Sequence, residues 1–190
     1  MRKVYVKSVC RLNPGEEPDY SSVLSPMAAR RMGPVLKKAV WTSVNALKSA
    51  GVDNVDAIIT ATDYGCIGDS EAFLKALNHV DGLSLRPTNF MQSTHNTISS
   101  LIAIHIGCHG YNATYSHCGN SFNSALMDAW IQISLGDIDT ALVGQFDEVT
   151  DLFKVHLADK GRGVENTAVS YVLTGEPEGV LYELLMPKIC

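Results

Sequence analysis

Among five cysteines and six histidines, one cysteine stands where a nucleophile would be made. The segment Tyr111-Asn-Ala-Thr-Tyr-Ser-His-Cys118-Gly119-Asn120-Ser121 reads as a strand over Tyr111 to Ser116 that passes at once into a helix over Asn120 to Leu135. A helix N-terminus carries a partial positive charge and N–H groups without intrahelical partners. Both favour a thiolate over a thiol, and the same N–H groups would polarise a thioester carbonyl. Cys118 is therefore the nucleophile candidate. The local pattern leaves a plainer reading open, a buried cysteine that closes a strand, because cysteine is among the most buried residue types.

The other chemistry-bearing residues form weaker patterns. His105, Cys108, His109, His117 and Cys118 are of the soft sulfur and imidazole types that suit zinc. Gly107 is expected to end a helix between His105 and His109, which takes the two off a common face, so no metal is expected. No Cys-x-x-Cys pair exists, and an odd number of widely spaced cysteines does not read as a disulfide framework. Asp147 and Glu148 form a carboxylate pair at the end of a strand, the end that lines ligand sites in parallel sheets. Asp63-Tyr64-Gly65-Cys66-Ile67-Gly68 lacks the spacing of a dinucleotide loop. No cofactor is expected.

The elements that must position these residues alternate. Val4 to Cys10 alternates polar and apolar positions as a strand does. Ser25-Pro26 starts a helix in which Met32, Val35, Leu36, Ala39, Val40, Val44 and Leu47 recur at helical spacing up to Gly51. Val55 to Thr60 and Thr140 to Gly144 are apolar runs typical of strands buried on both faces. Asp69 to His79 reads as a helix, Pro87 to Ser93 as irregular, and Asn96 or Thr97 caps a helix that runs to Ile106. Residues 146 to 166 read as a polar loop. Thr167 to Leu173 and Val180 to Leu185 are spaced as a hairpin around Gly175 to Gly179. This order predicts an α/β layer on a five-stranded mixed sheet covered by helices, with residues 1–190 as a single domain.

Composition sets the outer limits. Hydrophobic residues make up 46% and charged residues 18%, enough to bury a core, so global disorder is excluded. The net charge of −5 comes without any long basic run, which argues against nucleic acid as a partner. The longest apolar-rich stretch, Ile98 to Ile106, is too short to span a bilayer. The start lacks the unbroken apolar stretch of an export signal, and a cytoplasmic location is expected.

Arg86-Pro87, Asn96, Gly107-Cys108-His109-Gly110, the elbow Ser116-His117-Cys118-Gly119-Asn120-Ser121, Ala125 and Ala129, then Ile133-Ser134-Leu135-Gly136-Asp137 and Val143-Gly144-Gln145-Phe146-Asp147-Glu148 form an ordered series. In order and spacing it resembles the N-terminal half of β-ketoacyl-acyl-carrier-protein synthases, of the thiolase-like superfamily. Weaker resemblance extends to Val4–Cys10, Val55–Thr62 and Thr167–Thr174. His117 and Gly119 depart from the small residues usual around the family's cysteine. The resemblance implies a thiolase-like half-fold and a 3-oxoacyl-carrier-protein synthase-like role on acyl thioesters, in fatty-acid, polyketide or aryl-polyene type synthesis. It implies Cys118 as nucleophile, His95 as the in-chain base candidate because it precedes Asn96, and Asn96, Gly119 and Asn120 as substrate-binding positions.

Family condensing enzymes carry a second half, which supplies two further catalytic residues and an oxyanion donor, and this chain resembles the first half alone. Whether it is an enzyme is left open between two main expectations, with a plain acyl-thioester binding module as a third. One is acyl transfer through Cys118 together with a partner chain. The other is a non-catalytic subunit, like a chain length factor, that pairs with a full-length ketosynthase or binds acyl carrier protein. The stripe of Phe122, Ala125, Leu126, Ala129, Trp130 and Ile133 is expected to need cover from another surface, and a homodimer is expected on that ground.

Overall fold

The apolar run around residues 57–61 forms β2 (Ala57–Ala61), every residue of which is buried. It lies between two parallel neighbours, β3 (Tyr111–Tyr115) and β4 (Thr140–Asp147). Antiparallel to β4 runs β5 (Thr167–Thr174), antiparallel to β5 runs β1 (Tyr5–Leu12), and β6 (Tyr182–Glu183) closes the far edge. The sheet is therefore mixed, in the order β3-β2-β4-β5-β1-β6. The computed structural model describes residues 1–78, 86–117, 119–158 and 165–188.

Helices cover both faces. Ile58, Leu142, Phe146 and Val172 point to α2 (Pro34–Ala50) and α5 (Thr97–Ile106), with Leu36, Val40, Ile98 and Ile102 opposite them. Ala57, Ile59, Ala141, Val143 and Leu173 point to α6 (Ser121–Leu135). The alternation follows from the period of two along a strand. In β1 it changes phase. Lys7 is an extra residue between the pairs Val6–Leu173 and Ser8–Val172. Because a one-residue slip swaps faces, Val6 packs toward α6 whereas the Ser8 hydroxyl donates to the carbonyl of Ala46 on α2 at 2.6 Å.

Several sequence expectations are corrected. Among the described residues the sheet has six strands, not five. The terminal strands do not form a hairpin, since β6 pairs with β1 and β5 lies between β1 and β4. The long helix expected over 27–50 is broken into α1 (Pro26–Ala29) and α2. Pro34 has no N–H for a preceding turn and is accepted only at a first helical position, where α2 begins. Pro87 plays the same part in a helix where irregular chain is expected, α4 (Pro87–Gln92). The helix expected over 69–79 is α3 (Ile67–Leu77), with residue 79 outside the described residues. The polar stretch 146–166 contains α7 (Asp151–Ala158). Its inward residues are few, with Leu157 buried and Phe153 half-buried while Leu152 and Val155 face out, so no apolar stripe marks it in the sequence.

The stripe on α6 is also corrected. Ala125, Ala129 and Ile133 are fully buried against the chain's own sheet, and Phe122, Leu126 and Trp130 are packed beside them. The Trp130 indole N–H donates to the carbonyl of Leu184, which brings the C-terminal segment over the same face. The stripe needs no second molecule to cover it.

Candidate active site

The parallel strands β2, β3 and β4 end at one edge of the sheet, and the turn from β3 into α6 lies there. This is the edge at which open α/β sheets bind ligands. β3 ends at Tyr115 and α6 begins at Ser121. Cys118 lies outside the described residues, and its two neighbours in the chain frame the elbow. The carbonyl of His117 accepts the Asn120 N–H at 3.0 Å. Gly119 has φ +91°, a left-handed conformation that glycine adopts without a Cβ penalty. It is exposed, with nothing within 4 Å of where a Cβ would be apart from its chain neighbours.

Three polar side chains hold this turn. The Ser121 hydroxyl accepts the His117 N–H at 2.9 Å and donates to Asp63. The other Asp63 oxygen accepts the Gly119 N–H at 3.0 Å. The His117 ring turns along α6, its Nε2 lying 2.6 Å from the Ser124 hydroxyl. That hydroxyl donates to the carbonyl of Asn120 at 3.0 Å, so in this network Nε2 is the donor to it.

Asp63 is placed by a second carboxylate. Asp147, at the end of β4, is 5% exposed, and one of its oxygens accepts the Thr62 hydroxyl at 2.8 Å, the Asp63 N–H at 2.8 Å and the Tyr64 N–H at 2.9 Å. Burial pushes its pKa up, the three donors pull it down, and the charge of Asp63 adds to the upward push. Glu148 accepts the Gly68 N–H at 2.9 Å and thereby holds the start of α3. Its carboxyl is also raised, first by burial. These two carboxylates support the loop between β2 and α3.

The remaining sequence candidates lie around this centre. His95 is exposed, and its ring covers Gly65, where a Cβ would sit 3.5 Å from Cδ2. It thus reaches the loop that carries Asp63. Asn96 is exposed at the N-cap of α5, with its carbonyl taking the Ser100 N–H and the Ser99 hydroxyl. Asn120 is half-buried at the N-cap of α6. Sequence reasoning missed Asp63 and Ser121. The available signal was an acid directly after the buried strand β2, set at the same sheet edge as the elbow. Beside the first turn of α6, a cavity of about 400 Å³ is lined by Arg11, Asn13, Phe122, Gln145 and Asn166. Among the described residues no group of three or more His, Cys, Asp or Glu could hold a metal ion, and no helix is long and apolar enough to cross a membrane.

A family model described as "Beta-ketoacyl synthase, N-terminal domain" matches residues 7–181. No curated protein matches the chain. Among solved structures, the complex of the ketosynthase ApeO with its chain length factor ApeC from Xenorhabdus doucetiae aligns with TM-score 0.74 and 21% identity, over 92% of this chain and 79% of the other. A type II polyketide ketosynthase in complex with its acyl carrier protein aligns with TM-score 0.80 and 15% identity, over 92% of this chain and 62% of the other. The ishigamide ketosynthase/chain length factor aligns with TM-score 0.77 and 13% identity, over 94% of this chain and 63% of the other. The chain therefore spans less than two thirds of the length of the last two. At these identities the likeness is one of fold.

Proposed function

Because the chain belongs to the β-ketoacyl synthase N-terminal domain family, we propose that it acts on acyl thioesters through Cys118, as one 3-oxoacyl-carrier-protein synthase-like unit over residues 1–190 that works with a partner chain in the cytoplasm. The observation that supports this most is the elbow between β3 and α6. Its described residues, His117 and the exposed left-handed Gly119, lie between the end of β3 and the start of α6. In the step proposed, the Cys118 sulfur bonds to the acyl carbon, the carbon–sulfur bond to the carrier breaks, and the carrier thiol leaves with the proton. Decarboxylative condensation would need donors from a second polypeptide. The solved relatives include complexes with an acyl carrier protein and with a chain length factor, and the same two classes of partner are proposed here, together with self-association into a homodimer. Fatty-acid, polyketide or aryl-polyene type synthesis is the proposed setting.

A second reading is a non-catalytic subunit that pairs with a ketosynthase. The Asp63 carboxylate favours it, since it occupies the N–H of Gly119, a donor that an oxyanion at this turn would otherwise draw on. Incubation of the purified chain with an acyl thioester separates the two. Covalent acylation that disappears in Cys118→Ala supports the first reading, and an unmodified wild-type chain supports the second.

A further inference from the structure

Three neighbouring helices leave large apolar side chains in water. Leu74 and Leu77 of α3, Phe90 and Met91 of α4 and Met27 of α1 are between 51% and 68% exposed. The rings of Phe73 and Phe90 lie 5.4 Å apart and join α3 to α4. The Gln92 side-chain amide donates to the carbonyl of Arg31 at 2.5 Å and joins α4 to the turn after α1. Every exposed charged side chain among the described residues of these elements is a cation: Arg30 and Arg31 after α1, Lys75 on α3 and Arg86 before α4. The two acids of α3, Asp69 and Glu71, are half-buried, and Glu71 lies 3.7 Å from Lys75. The face is thus apolar with a basic rim, on a chain whose net charge is −5.

An exposed apolar patch with a polar rim marks a protein or membrane contact, and a rim of one sign selects a surface of the other. A partner helix seats its anchors in a groove. Side chains that stand out from the surface by half or more suit insertion among lipid headgroups instead, and arginine adds a bidentate grip on phosphate. We infer that this face is a peripheral docking surface for an anionic phospholipid membrane, with the five apolar side chains at the headgroup boundary and the four cations against the lipid phosphates. The contact needs no membrane-crossing helix, and none is present among the described residues. It is independent of the chemistry at the elbow.

The test is sedimentation of the purified chain with vesicles of phosphatidylcholine alone, and of phosphatidylcholine with about one third phosphatidylglycerol. The chain is expected to sediment with the anionic vesicles and to stay in the supernatant with the neutral ones. Added salt should release it, because screening shortens the reach of the surface potential. Arg30→Gln combined with Arg31→Gln should weaken binding roughly fivefold for each cation removed. Leu77→Ser combined with Met91→Ser should weaken it about tenfold through lost apolar contact. Leu185→Ser, exposed beyond β6, should bind as the wild type does. All of these side chains are exposed, so each variant should melt with the wild type, which keeps loss of binding apart from loss of fold. A wild type left in the supernatant by both vesicles would overturn the inference, and so would binding that both paired variants retain. A chain that ignores vesicles but binds purified acyl carrier protein through the same cations would overturn it as well, by giving the face to an acidic protein.

Discussion

Glu148 is held against the preference of a carboxylate in water. Burial raises its pKa first, the Gly68 N–H lowers it, Asp69 and Glu71 raise it further, and Lys38 pulls it down. A carboxyl whose folded pKa is raised contributes stability that is fully present below its unfolded pKa and is lost as pH rises through the folded value. Glu148→Gln keeps an oxygen for the Gly68 N–H and removes the charge. The variant should melt above the wild type at pH 7.5, and the difference should close as the pH falls toward the ordinary glutamate value of 4.5, as followed by thermal denaturation across pH. At this scale the sequence shows the turn with Gly119 between β3 and α6, because strand, glycine and helix follow closely there, while Cys118 lies outside the described residues. The sequence does not show Asp63 and Asp147, whose partners lie 56 to 85 residues away and whose roles exist only once β2, β3 and β4 end together.

Two glycines set how closely the elements approach. A Cβ on Gly110 would lie 2.0 Å from the carbonyl oxygen of Asp56, the same oxygen that accepts the Tyr111 N–H. A Cβ on Gly144 would lie 2.4 Å from the ring of Phe146, which is fully buried, and 3.2 Å from the carbonyl of Val169. Neither neighbour can move freely, so Gly144→Ala should cost about 1–3 kcal/mol, the usual range for overpacking. Gly110→Ala should cost at least as much by parting β3 from β2. Denaturant titration of both variants checks this. The buried strands and α6 are legible in sequence because their apolar runs match their periods. The break before Pro34, the short α4 and α7, and the pairing of β6 with β1 are not, since each depends on a proline's placement or on contacts far along the chain.

For the whole molecule, the order of elements is enough to reveal the α/β layer, and the ordered series from Arg86 to Glu148 reveals the family. The homodimer was expected from an apolar stripe that the chain's own sheet covers. What remains in its favour is the edge strand β3, paired among the described residues on one side by β2 alone, because an open edge is a template for another strand. Light scattering at micromolar concentration should give twice the 20.6 kDa chain mass, and a monodisperse species at the single-chain mass would remove the dimer. Acylation at residue 118 bears most directly on the account. Intact-mass analysis of the chain incubated with an acyl thioester, followed by peptide mapping, should show one acyl group on Cys118 in the wild type and none in Cys118→Ala. An unmodified wild type, or an acyl group that persists in the variant, would contradict it.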